Sequence, residues 1–80
     1  MKLNELLAHK YSGAKVVVKL FDMDNLKSVA VFNGYETTID GMLNNEYELL
    51  VEIYGLHEVI NFSAAIDSIR IPYISILIQP

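Results

Sequence analysis

Short β-branched stretches cut apart by turn residues make up most of this chain. Val16-Val17-Val18 leads into Asp22-Met23-Asp24-Asn25, and Val29 to Phe32 leads into Asn33-Gly34. Asp40-Gly41, Asn44-Asn45 and Gly55-Leu56 punctuate the later segments. Asp and Asn bond back to their own backbone and Gly tolerates positive φ, so each of these sites bends the chain. β-Branched side chains fit a pleated, half-buried surface. Short strands at this spacing suit a small barrel or a strongly bent sheet.

Individual elements follow from periodicity. Leu3, Leu6 and Leu7 predict a short helix over Lys2 to Lys10, ended by Ser12-Gly13. So short a helix is unstable alone, and its Leu face must lie on a barrel end or a sheet face. Ala14 to Phe21 predicts a strand with Val16, Val18 and Leu20 toward the core and Lys15, Val17, Lys19 and Phe21 away from it. A second strand is expected from Leu26 to Phe32. Asn33-Gly34 fits a two-residue type I′ turn and predicts a hairpin between Ser28–Phe32 and Tyr35–Ile39. Glu46 to Tyr54 alternates like a half-buried strand, with Tyr47, Leu49, Val51 and Ile53 on one side. Its other side carries Glu46, Glu48, Leu50, Glu52 and Tyr54. Glu58 to Phe62 reads as a strand, Ser63 to Asp67 as a helical or 3₁₀ turn, and Ser68 to Ile71 as a short strand. Tyr73 to Ile78 is the last strand, with Ile74, Ile76 and Ile78 on one face and Pro72 marking a break or an edge. The expectation is one mostly-β domain over residues 1–80: a short N-terminal helix, then six to seven strands.

From Lys27 onward the order of elements resembles the Sm-like family, especially its bacterial Hfq-type RNA chaperones. Lys27-Ser28-Val29-Ala30-Val31-Phe32-Asn33-Gly34 is similar to that family's first strand and its turn. A bent second strand and a third around Leu49-Leu50 come next. The segment from Ile60 to Pro72 resembles the closing strands. The resemblance implies a small SH3/Sm-like barrel and a ring-like homo-oligomer. Its RNA-binding Lys-His pair is replaced here by Ser63-Ala64, and its Asp-containing loop by Asn44-Asn45-Glu46. An extra strand, Ala14 to Phe21, precedes the whole. The RNA function is therefore not carried over by these residues.

Charge narrows the partner. The formal net charge is −4, and five of the six basic residues lie in the first third of the chain. Between Ser28 and Ile69 stand Glu36, Asp40, Glu46, Glu48, Glu52, Glu58 and Asp67, with no Lys or Arg. Nucleic-acid binders normally present a basic face, so nucleic acid is a poor partner. An acidic stretch either keeps a protein soluble or docks a basic surface. With 52% hydrophobic residues in 80 and no cysteine, the chain carries more apolar matter than a small monomer easily hides. A homo-oligomer is expected. No apolar run is long enough to span a bilayer and no signal-like segment opens the chain, so the cytoplasm is the expected compartment.

Catalytic constellations are not visible. There is no Cys and no Ser in a Gly-flanked elbow. His9 and His57 lack partners at metal-binding spacing, and Asp22-x-Asp24-Asn25 lacks the later Gly and Glu of a calcium loop. No enzyme activity, metal or cofactor is expected. The leading expectation is an acidic interaction protein whose Glu46, Glu48, Leu50, Glu52 and Tyr54 engage a basic protein surface. An inhibitor of a nucleic-acid-processing or defence complex, carried by a phage or mobile element, would fit that description. One alternative is an Sm-like binder of single-stranded RNA, with Asn44, Asn45 and Tyr47 near the bases and Lys15, Lys19 and Lys27 on phosphate. The other is a structural oligomer joined along an edge formed by Tyr73, Ile74, Ile76 and Ile78.

Overall fold

A computed structural model describes residues 1–10 and 13–80. Helix α1 spans Leu3–His9, strand β1 Lys15–Asp22, strand β2 Lys27–Gly34, helix α2 Asn45–Tyr54, strand β3 Val59–Ile66 and strand β4 Pro72–Ile78. The four strands form one open sheet in the order β2-β1-β4-β3. β1 and β2 make an antiparallel hairpin, as do β3 and β4. The hairpins join through a parallel pairing of β1 with β4, running from Lys15 beside Tyr73 to Leu20 beside Ile78. A βαβ-type connection through α2 makes that parallel junction possible.

Alternation decides which side of the sheet is covered. Val16 and Val18 of β1, Ile76 and Ile78 of β4 and Phe32 of β2 point to one face. They pack there against Leu3 and Leu7 of α1 and Tyr47 and Leu50 of α2. The opposite face carries Val17, Lys19, Ser75, Leu77, Asn61 and Ser63, and no element covers it among the described residues. The result is a two-layer slab measuring 39 × 29 × 19 Å.

Both hairpin turns are locked by an aspartate. Asp22 Oδ1 accepts from the backbone N–H groups of Asp24 and Asn25 at 3.0 and 3.3 Å, and its Oδ2 accepts from the Asn25 side chain at 2.7 Å. Asp67 Oδ1 accepts from the N–H groups of Ile69 and Ile71 at 3.0 and 2.9 Å. A non-glycine residue with positive φ, Leu26 or Arg70, lies near the end of each turn.

Several expectations need correction. The sheet has four strands and is open and mixed, not a closed barrel or an antiparallel sheet of six to seven. Asn33-Gly34 does not turn the chain. Both residues remain paired to β1, beside Val17 and Val16, and Tyr35–Ile39 makes only an isolated bridge between Thr37 and Leu43. Pairing with β1 outweighs the local turn preference. Glu46 to Tyr54 is helix α2, not a strand. Ser63 to Ile66 continues β3, although its alanines favour helix, because β4 supplies a ladder for it. Residues 68–71 are the turn and not a strand. α1 and its Leu face, β1 with its inward valines, and the β4 isoleucines stand as the periodicity placed them. The helix stop at Ser12 lies outside the described residues; α1 itself ends at His9, with Lys10 in extended conformation.

Candidate functional site

The surface of α2 gathers the acidic middle of the chain, in an arrangement a strand would not give. The Asn44 side chain caps the helix by accepting from the Glu46 N–H at 3.0 Å. Glu46 and Glu48 in the first turn suit the positive end of the helix dipole. Tyr47, Leu50, Val51 and Tyr54 then recur at i, i+3, i+4 and i+7 and make the inward face.

That rotation redistributes the residues expected on one strand face. Leu50 is 3% exposed and belongs to the core, although it also lines, with Tyr54, the groove between α2 and β2. Tyr54 is half-buried, with its ring edge-on to His57 at 5.3 Å. Glu46 flanks a groove between α2 and β2 that also takes in Leu49, Ile53, Ala30 and Val31, with a volume of about 410 Å³. Glu48 and Glu52 sit on the other flank of the helix, beside Leu43 and Glu36. Leu49 and Ile53, which strand alternation assigned to the interior, are 52% and 60% exposed. Their i, i+4 spacing was the available signal for a shared helix face. Ile39, Met42 and Leu43 in the preceding loop are exposed as well and extend the apolar surface.

Electrostatics separates these acids from the rest. Glu58 receives the Met1 amino group at 3.0 Å and Lys2 at 3.5 Å, Glu36 receives Lys10 at 3.8 Å, and Asp67 receives Lys15 at 3.7 Å. Glu46, Glu48 and Glu52 have no ion pair among the described residues. No basic residue occupies the last turn of α2, and Glu52 sits near that negative end. Glu48 and Glu52, four residues apart, repel by about 0.2–0.5 kcal/mol.

The residues of the RNA alternative are spent or dispersed. Tyr47 is 5% exposed, packed edge-on against Phe32 at 5.6 Å with the Lys10 ammonium 5.3 Å from its ring centre. Burial, helped by the Glu36 charge, pushes its phenol up to about 12. Asn44 is occupied as the helix cap, and its Nδ2 donates to the Tyr35 carbonyl at 2.9 Å. Asn45 is exposed at the start of α2. Lys15 and Lys19 belong to the uncovered sheet face, opposite the helices, and Lys27 begins β2 beside Asp22. The expected oligomer edge of Tyr73, Ile74, Ile76 and Ile78 is β4, which is paired on both sides and has no free edge to offer.

His57 Nδ1 lies 2.6 Å from the Gln79 carbonyl, tying the segment after α2 to the end of β4. Among the described residues no group of three His, Cys, Asp or Glu is placed to hold a metal ion. No helix among them is long and apolar enough to cross a membrane. Compared with known proteins, the chain matches no family model, no curated protein and no solved structure.

Proposed function

We propose that the chain is a non-catalytic binding module that docks a basic, partly apolar protein surface on the outward side of α2. The observation that carries this reading is the helix surface itself. Three glutamates without ion partners among the described residues share it with exposed Leu49 and Ile53. A purely solvating helix has no use for the two aliphatics, and a purely structural one would place a cation near Glu52. A partner that brings cations to Glu48 and Glu52 relieves their mutual repulsion, and its apolar side chains enter the groove beside β2. Acidic complementarity speeds encounter and selects the partner, while the apolar contacts supply most of the affinity. Enzymes that handle nucleic acid present basic surfaces of this kind, and they form the partner class we favour.

A peptide alternating lysine and leucine serves as the probe. Its binding should weaken as salt rises. It should fall about tenfold or more both in the triple variant Glu46→Lys, Glu48→Lys, Glu52→Lys and in the double variant Leu49→Ser, Ile53→Ser. Binding that is unchanged by the triple charge reversal sinks the reading.

A further inference from the structure

β3 is an edge of the sheet, guarded only at its start, where the Val59 N–H donates to the Met1 carbonyl at 2.8 Å and Lys2 bridges Glu58. From Val59 to Ile66 it reads VINFSAAI, with no charged residue, no proline and no glycine. Its inner side pairs with β4, and no strand lies on its outer side among the described residues. Edge strands of stable monomers are normally interrupted by lysine, proline or a bulge, because a row of open N–H and C=O groups pairs with any strand offered. The bulge in β3 lies at its start, between Val59 and Asn61, and leaves Asn61 to Ile66 regular. Phe62 and Ile66 are 52% and 69% exposed.

Charge selects the occupant. A chain of net charge −4 repels its own copy at long range, so self-association needs a contact free of unmatched carboxylates. At the other edge, β2 lies beside α2, so two copies meeting there would bring together the α2 glutamates, which have no ion pair among the described residues. β3 has no charge of its own, and the carboxylates beyond its two ends are already matched, Glu58 by Lys2 and the Met1 amino group and Asp67 by Lys15. We infer that β3 pairs antiparallel with β3 of a second copy across a two-fold axis, extending the sheet from one molecule into the next.

Shape fixes the register. With Ser63 on the axis, Phe62 stands opposite the second copy's Ala64, and Asn61 opposite its Ala65. Phe62 and Ala64 share the helix-covered face, where they border an apolar hollow of about 290 Å³ with Leu6, Ile74 and Ile76. Each copy's Phe62 ring enters the space above the other's Ala64. The molecule exposes 5564 Å², against about 4,900 Å² for a folded monomer of 9.0 kDa. The excess is roughly 700 Å² over the whole chain, and exposed Ile60, Phe62 and Ile66 of β3 are part of it. This contact is separate from the α2 surface and does not depend on the reading given to it.

Sedimentation equilibrium at micromolar concentration should return twice the 9.0 kDa chain mass. Ala64→Lys should halve that mass with an unchanged far-ultraviolet spectrum. Because the chain has no cysteine, single-cysteine variants report the register directly. Oxidised Ser63→Cys should form a covalent dimer, and Ala30→Cys on the β2 edge should not. The cross-link needs no lysine, so it decides the matter even if Ala64→Lys does not fold. A wild-type chain that sediments as a monomer or as an open-ended series overturns the inference. So does a dimer that survives Ala64→Lys, or cross-linking at Ala30 and not at Ser63.

Discussion

Asp67 shows how much of this fold hangs on single side chains. One oxygen accepts two backbone N–H groups that no ladder serves, and the other lies 3.7 Å from Lys15, so the residue fastens the β3–β4 turn to β1. The Ile71 N–H holds its carboxyl below the ordinary value of 3.8, with the Ile69 N–H and Lys15 adding to the effect. A carboxylate with a lowered folded-state pKa stabilises the fold fully above its unfolded value. That contribution is lost as pH falls through the folded value. Asp67→Asn keeps an acceptor and removes the charge, so it should lower the urea midpoint at neutral pH. The gap from wild type should close as pH drops below 3.8, and midpoint measurements across that range check it. Asp22 holds the β1–β2 turn in the same way, through Asn25 and Asp24.

At the scale of elements, α2 is where local pattern and structure part. Leu50→Ala should cost about 2–5 kcal/mol, because it removes a side chain from the junction of α2 and the sheet. Leu49→Ala should stay within about 0.5 kcal/mol, since its side chain faces water. Chemical denaturation of the two variants checks this, and a strand would reverse the order. The ambiguity is physical. Apolar residues at 47, 49, 50, 51, 53 and 54 satisfy both a period of two and a period of 3.6, and only Asn44 as a cap distinguishes them. β1 and β4 are legible because a β-branched run flanked by Lys15 and Lys19 and the alternating Ile74, Ile76 and Ile78 fit a strand and not a helix. Asn33-Gly34 and Ala64-Ala65 are not, since their state is set by strands distant in sequence. The candidate site suffered likewise. Its acidic content is readable from composition, but which aliphatics accompany the glutamates depends on the period: a strand puts Leu50 beside them, and the helix exposes Leu49 and Ile53.

Taken whole, the molecule is a thin slab with a doubly paired centre and two unlike edges. Amides of β1 and β4 should exchange with solvent only on global unfolding, while the outward amides of β2 exchange through local opening. If β3 joins a second copy, its outward amides slow with rising protein concentration and those of β2 do not. Hydrogen-exchange mass spectrometry at two concentrations measures both. The parallel junction of β1 with β4 also has a consequence in time. Val16 meets Ile74 only after every other element has been synthesised. Either hairpin by itself is a two-stranded ribbon of marginal stability. The rate-limiting event is therefore the meeting of two ribbons around α2, and so long a loop closure makes folding slow for a chain of this size. Until Pro72–Ile78 arrives, the valines of β1 lie open along what will become the middle of the sheet, and a nascent chain is most vulnerable to mispairing there.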